Sequence, residues 1–199
     1  MTRQPSKTKR QPTGPKQSAA KKPSAAKRPA RTAALTSTST PTSQPAAERR
    51  AAEAELSGLV AKFAPEREAL TAAVRRSLRK RRPTGHEVVY EYRDAFVISF
   101  SPNEHGYAGV LGIRGSANGI QLYFNQAKGL SDPAKLLKGS AGLVRWILVE
   151  GRSTLTRPEV ARLIDEAIAR SPVPFAPTGR GPVTVRPTTA RKAAKRRSG

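Results

Sequence analysis

Two histidines, His86 and His105, stand beside carboxylates: Glu87 and Glu91 follow the first, and Glu104 precedes the second. Imidazole beside carboxylate is a combination that can hold a metal or relay a proton. The spacing of these residues follows no metal-ligand motif, and solvated loop positions account for them better. Glu91 and Asp94 have the residue types of an acid–base pair, but also those of the polar face of a hairpin. The chain has no cysteine, which excludes a disulfide framework, a thiolate nucleophile and a thiolate-held metal. No Gly-x-Ser-x-Gly elbow occurs, so nucleophile, general acid and oxyanion donors cannot be filled together. These residues predict a protein that is not an enzyme and uses no cofactor.

The stretch "GLSDPAKLLKGSAGLVRWILVE", residues 129–150, contains the one glycine-serine turn that invites a phosphate. A phosphate cradle needs backbone N–H groups at the start of a helix. Here "KGSAG" comes after a predicted helix and before a predicted strand, where the helix dipole presents its negative end, and the full GxxxxGK[ST] pattern is missing. A turn into a core strand is the reading that fits.

The strongest chemical signal is positive charge. "RRSLRKRR" places Arg75, Arg76, Arg79, Lys80, Arg81 and Arg82 within eight residues, at a helix C-terminus where cations complement the dipole. Near the C-terminus, "RKAAKRR" adds Arg191, Lys192, Lys195, Arg196 and Arg197. Such clusters suit phosphate backbones or simply solubilise the chain. No zinc finger, helix-turn-helix or ribonucleoprotein aromatic motif is present to read bases, so contact would be non-specific. Tyr90, Tyr92, Tyr123 and Trp146 could stack bases if exposed, although alternating strand positions beside aliphatics favour packing.

The elements that must position these groups occupy the middle of the chain. Leu56, Leu59, Val60 and Phe63 predict an amphipathic helix over 46–63, and Leu70, Ala73, Val74 and Leu78 a second one that starts at Pro65. From Glu87 the period becomes two: Val88, Tyr90 and Tyr92 share one face, and Phe96, Ile98 and Phe100 share a face of the next strand across a tight turn at Arg93 and Asp94. Residues 107–114 and 120–125 predict a second hairpin, with Asn118 and Gly119 suited to positive φ. Asp132, Pro133 and Gly139 predict a two-turn helix before a strand over 143–150. Thr156 and Glu159 have capping-box spacing ahead of a last helix. The expected fold is α+β, an antiparallel sheet of about five strands with helices on one face.

Charge divides the 199 residues into three parts. Residues 1–45 hold ten Lys or Arg and no acid, and residues 171–199 hold seven and no acid, so the ends carry +17 of a formal +23. Their poverty in large apolar residues predicts disordered basic tails at 1–45 and 172–199 around a folded domain at 46–171. No membrane-length apolar run and no secretory signal is evident, which predicts a cytoplasmic protein without a membrane partner.

Residues 59–169 also resemble a bacterial family, the YdhG-like domain of unknown function, sometimes grouped with frataxin-like iron chaperones. The resemblance is carried by "LVAKFAPEREAL", "VVYEYRDAFVISFSPNE", "IQLYF", "GLSDPAKLLKGS" and "VRWILVE". It implies helices on an antiparallel sheet, and for some members an association with iron. Relatives often have an acid at Lys138, a Gly-Lys pair near Ala141 and Gly142, and a histidine at Trp146; this chain has none of them. Three functional readings follow: a binding or interaction module held near nucleic acid by basic tails, an iron-binding protein using Glu87, Glu91, Asp94 and Glu104, and a small-molecule domain with a pocket between sheet and helices near Tyr90 and Trp146.

Overall fold

The turn at Arg93 and Asp94 sets the register of the sheet. In the computed structural model, which describes residues 44–139 and 143–186, Tyr92 N–H donates to the Ala95 carbonyl at 2.8 Å. This two-residue hairpin places Glu91 opposite Phe96, Val89 opposite Ile98 and Glu87 opposite Phe100. Directly opposed side chains share a face, so the face holding the buried Phe96, Ile98 and Phe100 also holds Glu87, Val89 and Glu91. Val88, Tyr90 and Tyr92 do share a face, but it is the other one.

Strands β1 (His86–Glu91), β2 (Ala95–Ser101), β3 (Leu111–Ser116), β4 (Gly119–Phe124) and β5 (Arg145–Val149) form an antiparallel meander. At the β3–β4 turn Gly119 takes a φ of +119°, a conformation that side chains resist. Helices α1 (Ala46–Phe63), α2 (Glu68–Arg81), α3 (Arg152–Thr156) and α4 (Pro158–Ala169) supply the second layer. Leu56, Leu59, Val60, Val74, Leu78, Val160, Leu163 and Ile164 pack on Phe96, Ile98, Ile113, Ile120 and Leu122 in one core. Every sheet residue in that set lies on the same face by register; on the opposite face, among the described residues, no α-helix packs, and only the short turn Gly106–Ala108 folds over it.

Four expectations need correction. The sheet has six strands and is mixed, because β6 (Val183–Arg186) pairs parallel to β1 in the order β5-β4-β3-β2-β1-β6. The fold therefore continues past Ser171 to Arg186. Val183 is fully buried, Phe175 tilts against Phe100 at 5.8 Å, and Thr84 Oγ1 donates to the Ala176 carbonyl at 2.7 Å. At the outer edge of β6 the Gln44 amide donates to the Val183 carbonyl at 2.8 Å and accepts from its N–H at 3.0 Å.

The helix expected after Asp132 does not form. Asp132 accepts from Leu136 N–H and Leu137 N–H, both at 2.9 Å, but Lys135 turns left-handed at φ 52°. Lys138 then exchanges two backbone hydrogen bonds with Trp146, of 2.7 and 3.0 Å, and this bridge to β5 replaces the helical bonds. Nor is there a capping box: Thr156 Oγ1 donates back to the Ser153 carbonyl, within α3. Residues 1–43 and 140–142, and with them most of "KGSAG", lie outside the described residues, as do Arg191, Lys192, Lys195, Arg196 and Arg197.

Candidate nucleic-acid interface

Helical phase splits the cationic run. Residues four apart share a helix face, so Arg75 and Arg79 point together toward β1 while Arg76 and Lys80 point together away from it. Arg75 Nη2 and Arg79 Nη2 each lie 2.6 Å from Glu87 Oε2, and both guanidinium groups also reach Glu53 on α1, at 2.8 and 3.3 Å. The Glu87 side chain is 2 % exposed. A buried carboxylate of this kind is tolerated only when paired. Burial alone would depress the Arg75 guanidinium, and the two carboxylates outweigh it and raise its pKa above the ordinary value. Burial likewise opposes ionisation of Glu53, and Arg75 and Arg79 overcome it, so the Glu53 carboxyl is held below its ordinary value. Neither Arg75 nor Arg79 is available to a phosphate.

Arg81 pairs with Asp165 on α4 at 2.5 Å, and Arg82 lies over the Phe175 ring at 5.6 Å. Arg76 and Lys80 remain exposed. With Arg81 and Arg152 they edge a groove of about 750 Å³ between α2 and the α3–α4 corner, floored by Ala73, Leu155 and Ala161. No carboxylate lines it among the described residues. Arg152, which had no place in the sequence reading, joins the set because α3 brings the start of its own turn beside α2; its separation of over seventy residues from Lys80 hides this in the sequence.

The candidate metal ligands are not brought together. Glu87 is consumed by the arginines; Glu91 pairs with Lys62 at 2.6 Å, Asp94 with Arg114 at 3.3 Å, and Glu104 lies 3.7 Å from His105. Among the described residues no group of three or more His, Asp or Glu side chains is placed to hold a metal ion. His86 lines a separate cavity of about 490 Å³ with Glu48, Glu104 and Arg180. Its Nδ1 is buried without a hydrogen-bond partner, and burial, opposed in part by Glu104, depresses its pKa.

Tyr90 and Trp146 do not form a pocket between sheet and helices. Both lie on the helix-free face, in β1 and β5, four strand positions and about 19 Å apart. Trp146 stands opposite Tyr123, under Lys138 Nζ at 5.8 Å from the ring. No helix among the described residues is long and apolar enough to cross a membrane. No family model, curated protein or solved structure matches the chain.

Proposed function

We propose that the protein is a non-enzymatic binding module of the YdhG-like kind that associates with nucleic acid through phosphate contacts, without reading base sequence. The observation that carries this reading is the groove at α2: Arg76, Lys80 and Arg152, exposed and outside the ion pairs that occupy Arg75, Arg79 and Arg81, converge where no described carboxylate neutralises them. Cations so placed neutralise phosphates and release counterions. The excess of Lys and Arg over acids in the two ends of the chain adds to the same attraction.

The test is a titration of the full chain against duplex DNA at several salt concentrations, repeated with Arg76→Ala and Lys80→Ala. Each variant should weaken binding to all sequences alike and flatten the log–log salt slope by about 0.9 for each phosphate that is no longer neutralised. Unchanged affinity and slope in both variants would remove the groove from the account.

A further inference from the structure

The protein's aromatic residues are sorted by face. Of its five phenylalanines, Phe96, Phe100 and Phe124 are buried in the core and Phe63 and Phe175 pack against it. Its four tyrosines and single tryptophan go elsewhere. Trp146, Tyr123 and Tyr90 stand on the helix-free face of the sheet, half-buried rather than covered, and Tyr92 continues that face, 54 % exposed. Tyr107 lies in the turn that folds over the same face, where Ser99 Oγ donates to the Gly106 carbonyl at 2.8 Å. It is 85 % exposed and stacks on His105 with ring centroids 5.2 Å apart.

Two close approaches keep rings low on this surface. A Cβ on Gly106 would lie 2.2 Å from the Tyr90 hydroxyl, and one on Gly112 would lie 2.5 Å from that of Tyr123, so the glycines leave room for the outer ends of both rings. Aromatics with a polar tip suit a surface that is apolar yet wetted. The charge around them is positive on balance. Lys138 covers Trp146, Arg186 is paired in register with Tyr90, and Arg114 lies between Val97 and Gln121. Asp94, paired with Arg114, and Glu104 are the acids at the rim.

From this we infer that the helix-free face binds single-stranded nucleic acid, stacking unpaired bases on Trp146, Tyr123 and Tyr90 while Arg114, Lys138 and Arg186 hold the phosphates. The inference rests on the nucleic-acid reading above but uses the side of the sheet away from the α2 groove. Stacking needs bases out of the duplex, tolerates any sequence because every base has a π-face, and works beside cations that track the backbone.

The only tryptophan reports on this face directly. Full-length protein titrated with a thymidine oligonucleotide of about 16 nucleotides should show saturable quenching of Trp146 emission. Trp146→Ala and Tyr90→Ala, checked for folding by urea denaturation, should each weaken oligonucleotide binding about tenfold, whereas Tyr90→Phe, which keeps the ring, should bind like the parent. Oligonucleotide binding without a change in Trp146 emission, or with both alanine variants unaffected, would overturn the inference. Quenching on raising protein concentration alone, with a dimer in sedimentation, would give the face to a second copy and overturn it too. Duplex binding that depends on Arg76 and Lys80 without single-strand quenching would sink this inference alone; no binding of either nucleic acid at low salt would sink both readings.

Discussion

Glu87 is the residue on which the reading of the cationic run turns. Its side chain is almost wholly buried, and Arg75 and Arg79 are held inward to neutralise it. Replacing it with alanine leaves two part-buried guanidinium groups short of a partner, so Glu87→Ala should cost about 3–5 kcal/mol in a denaturant melt. A loss below about 1 kcal/mol would show that water solvates the pair instead. The acid limb of stability follows from the depressed groups. Glu53, below its ordinary 4.5 when folded, contributes stability that is present above that value and lost as pH falls through its folded one. His86, below 6.5 when folded, takes up a proton first in the unfolded chain, so stability begins to fall as pH drops below 6.5. Melting temperature measured from pH 7 downward should therefore decline in two stages, the first flattened in His86→Gln and the second in Glu53→Gln. Absence of the first stage in the parent would contradict the burial of His86.

Much of this was legible in the sequence, and the missed part has a physical reason. The tight turn at Arg93 and Asp94 already forces Glu91, Val89 and Glu87 to lie opposite Phe96, Ile98 and Phe100. Alternation within the first strand misled because Val88, Tyr90 and Tyr92 look more apolar than Glu87, Val89 and Glu91. Only the pairing with the next strand, and arginines four apart on α2, identify Glu87 as a paired core carboxylate.

At the scale of elements, local patterns found α1, the meander and α4, since their apolar residues repeat within a single segment. β6 escaped because its four residues pair in parallel with a strand almost a hundred positions earlier, and Val183 and Val185 are too few to make a period. Its contribution is measurable. Val183 is fully buried, so Val183→Ala should destabilise by roughly 1–3 kcal/mol. A chain ended at Ser171 loses Phe175 and β6 together and bares the edge of β1, and should melt earlier still and aggregate. Equal stability of that shortened chain and the parent would show that residues 172–186 are not part of the fold. The helix expected at Asp132 fails for a comparable reason: Asp132 accepts from Leu136 and Leu137 N–H across a non-helical turn, and the bridge partner of Lys138, Trp146 on β5, lies outside the segment whose propensity predicts the helix.

At the scale of the whole molecule, charge and aromaticity are distributed by side. The helical layer turns Arg76, Lys80 and Arg152 outward around a groove; the sheet turns its tyrosines and tryptophan the other way; the core between them keeps the phenylalanines. Composition alone assigns most of the +23 to the chain ends, and so cannot say whether the folded domain itself touches a phosphate. The measurement that decides this compares duplex-DNA binding by the full chain with that of residues 44–186, across a salt series. The shorter chain should bind more weakly but still with a salt-dependent slope, and Arg76→Ala with Lys80→Ala should remove what remains. A shorter chain that fails to bind at low salt would place all nucleic-acid affinity in the ends and contradict a site on the domain.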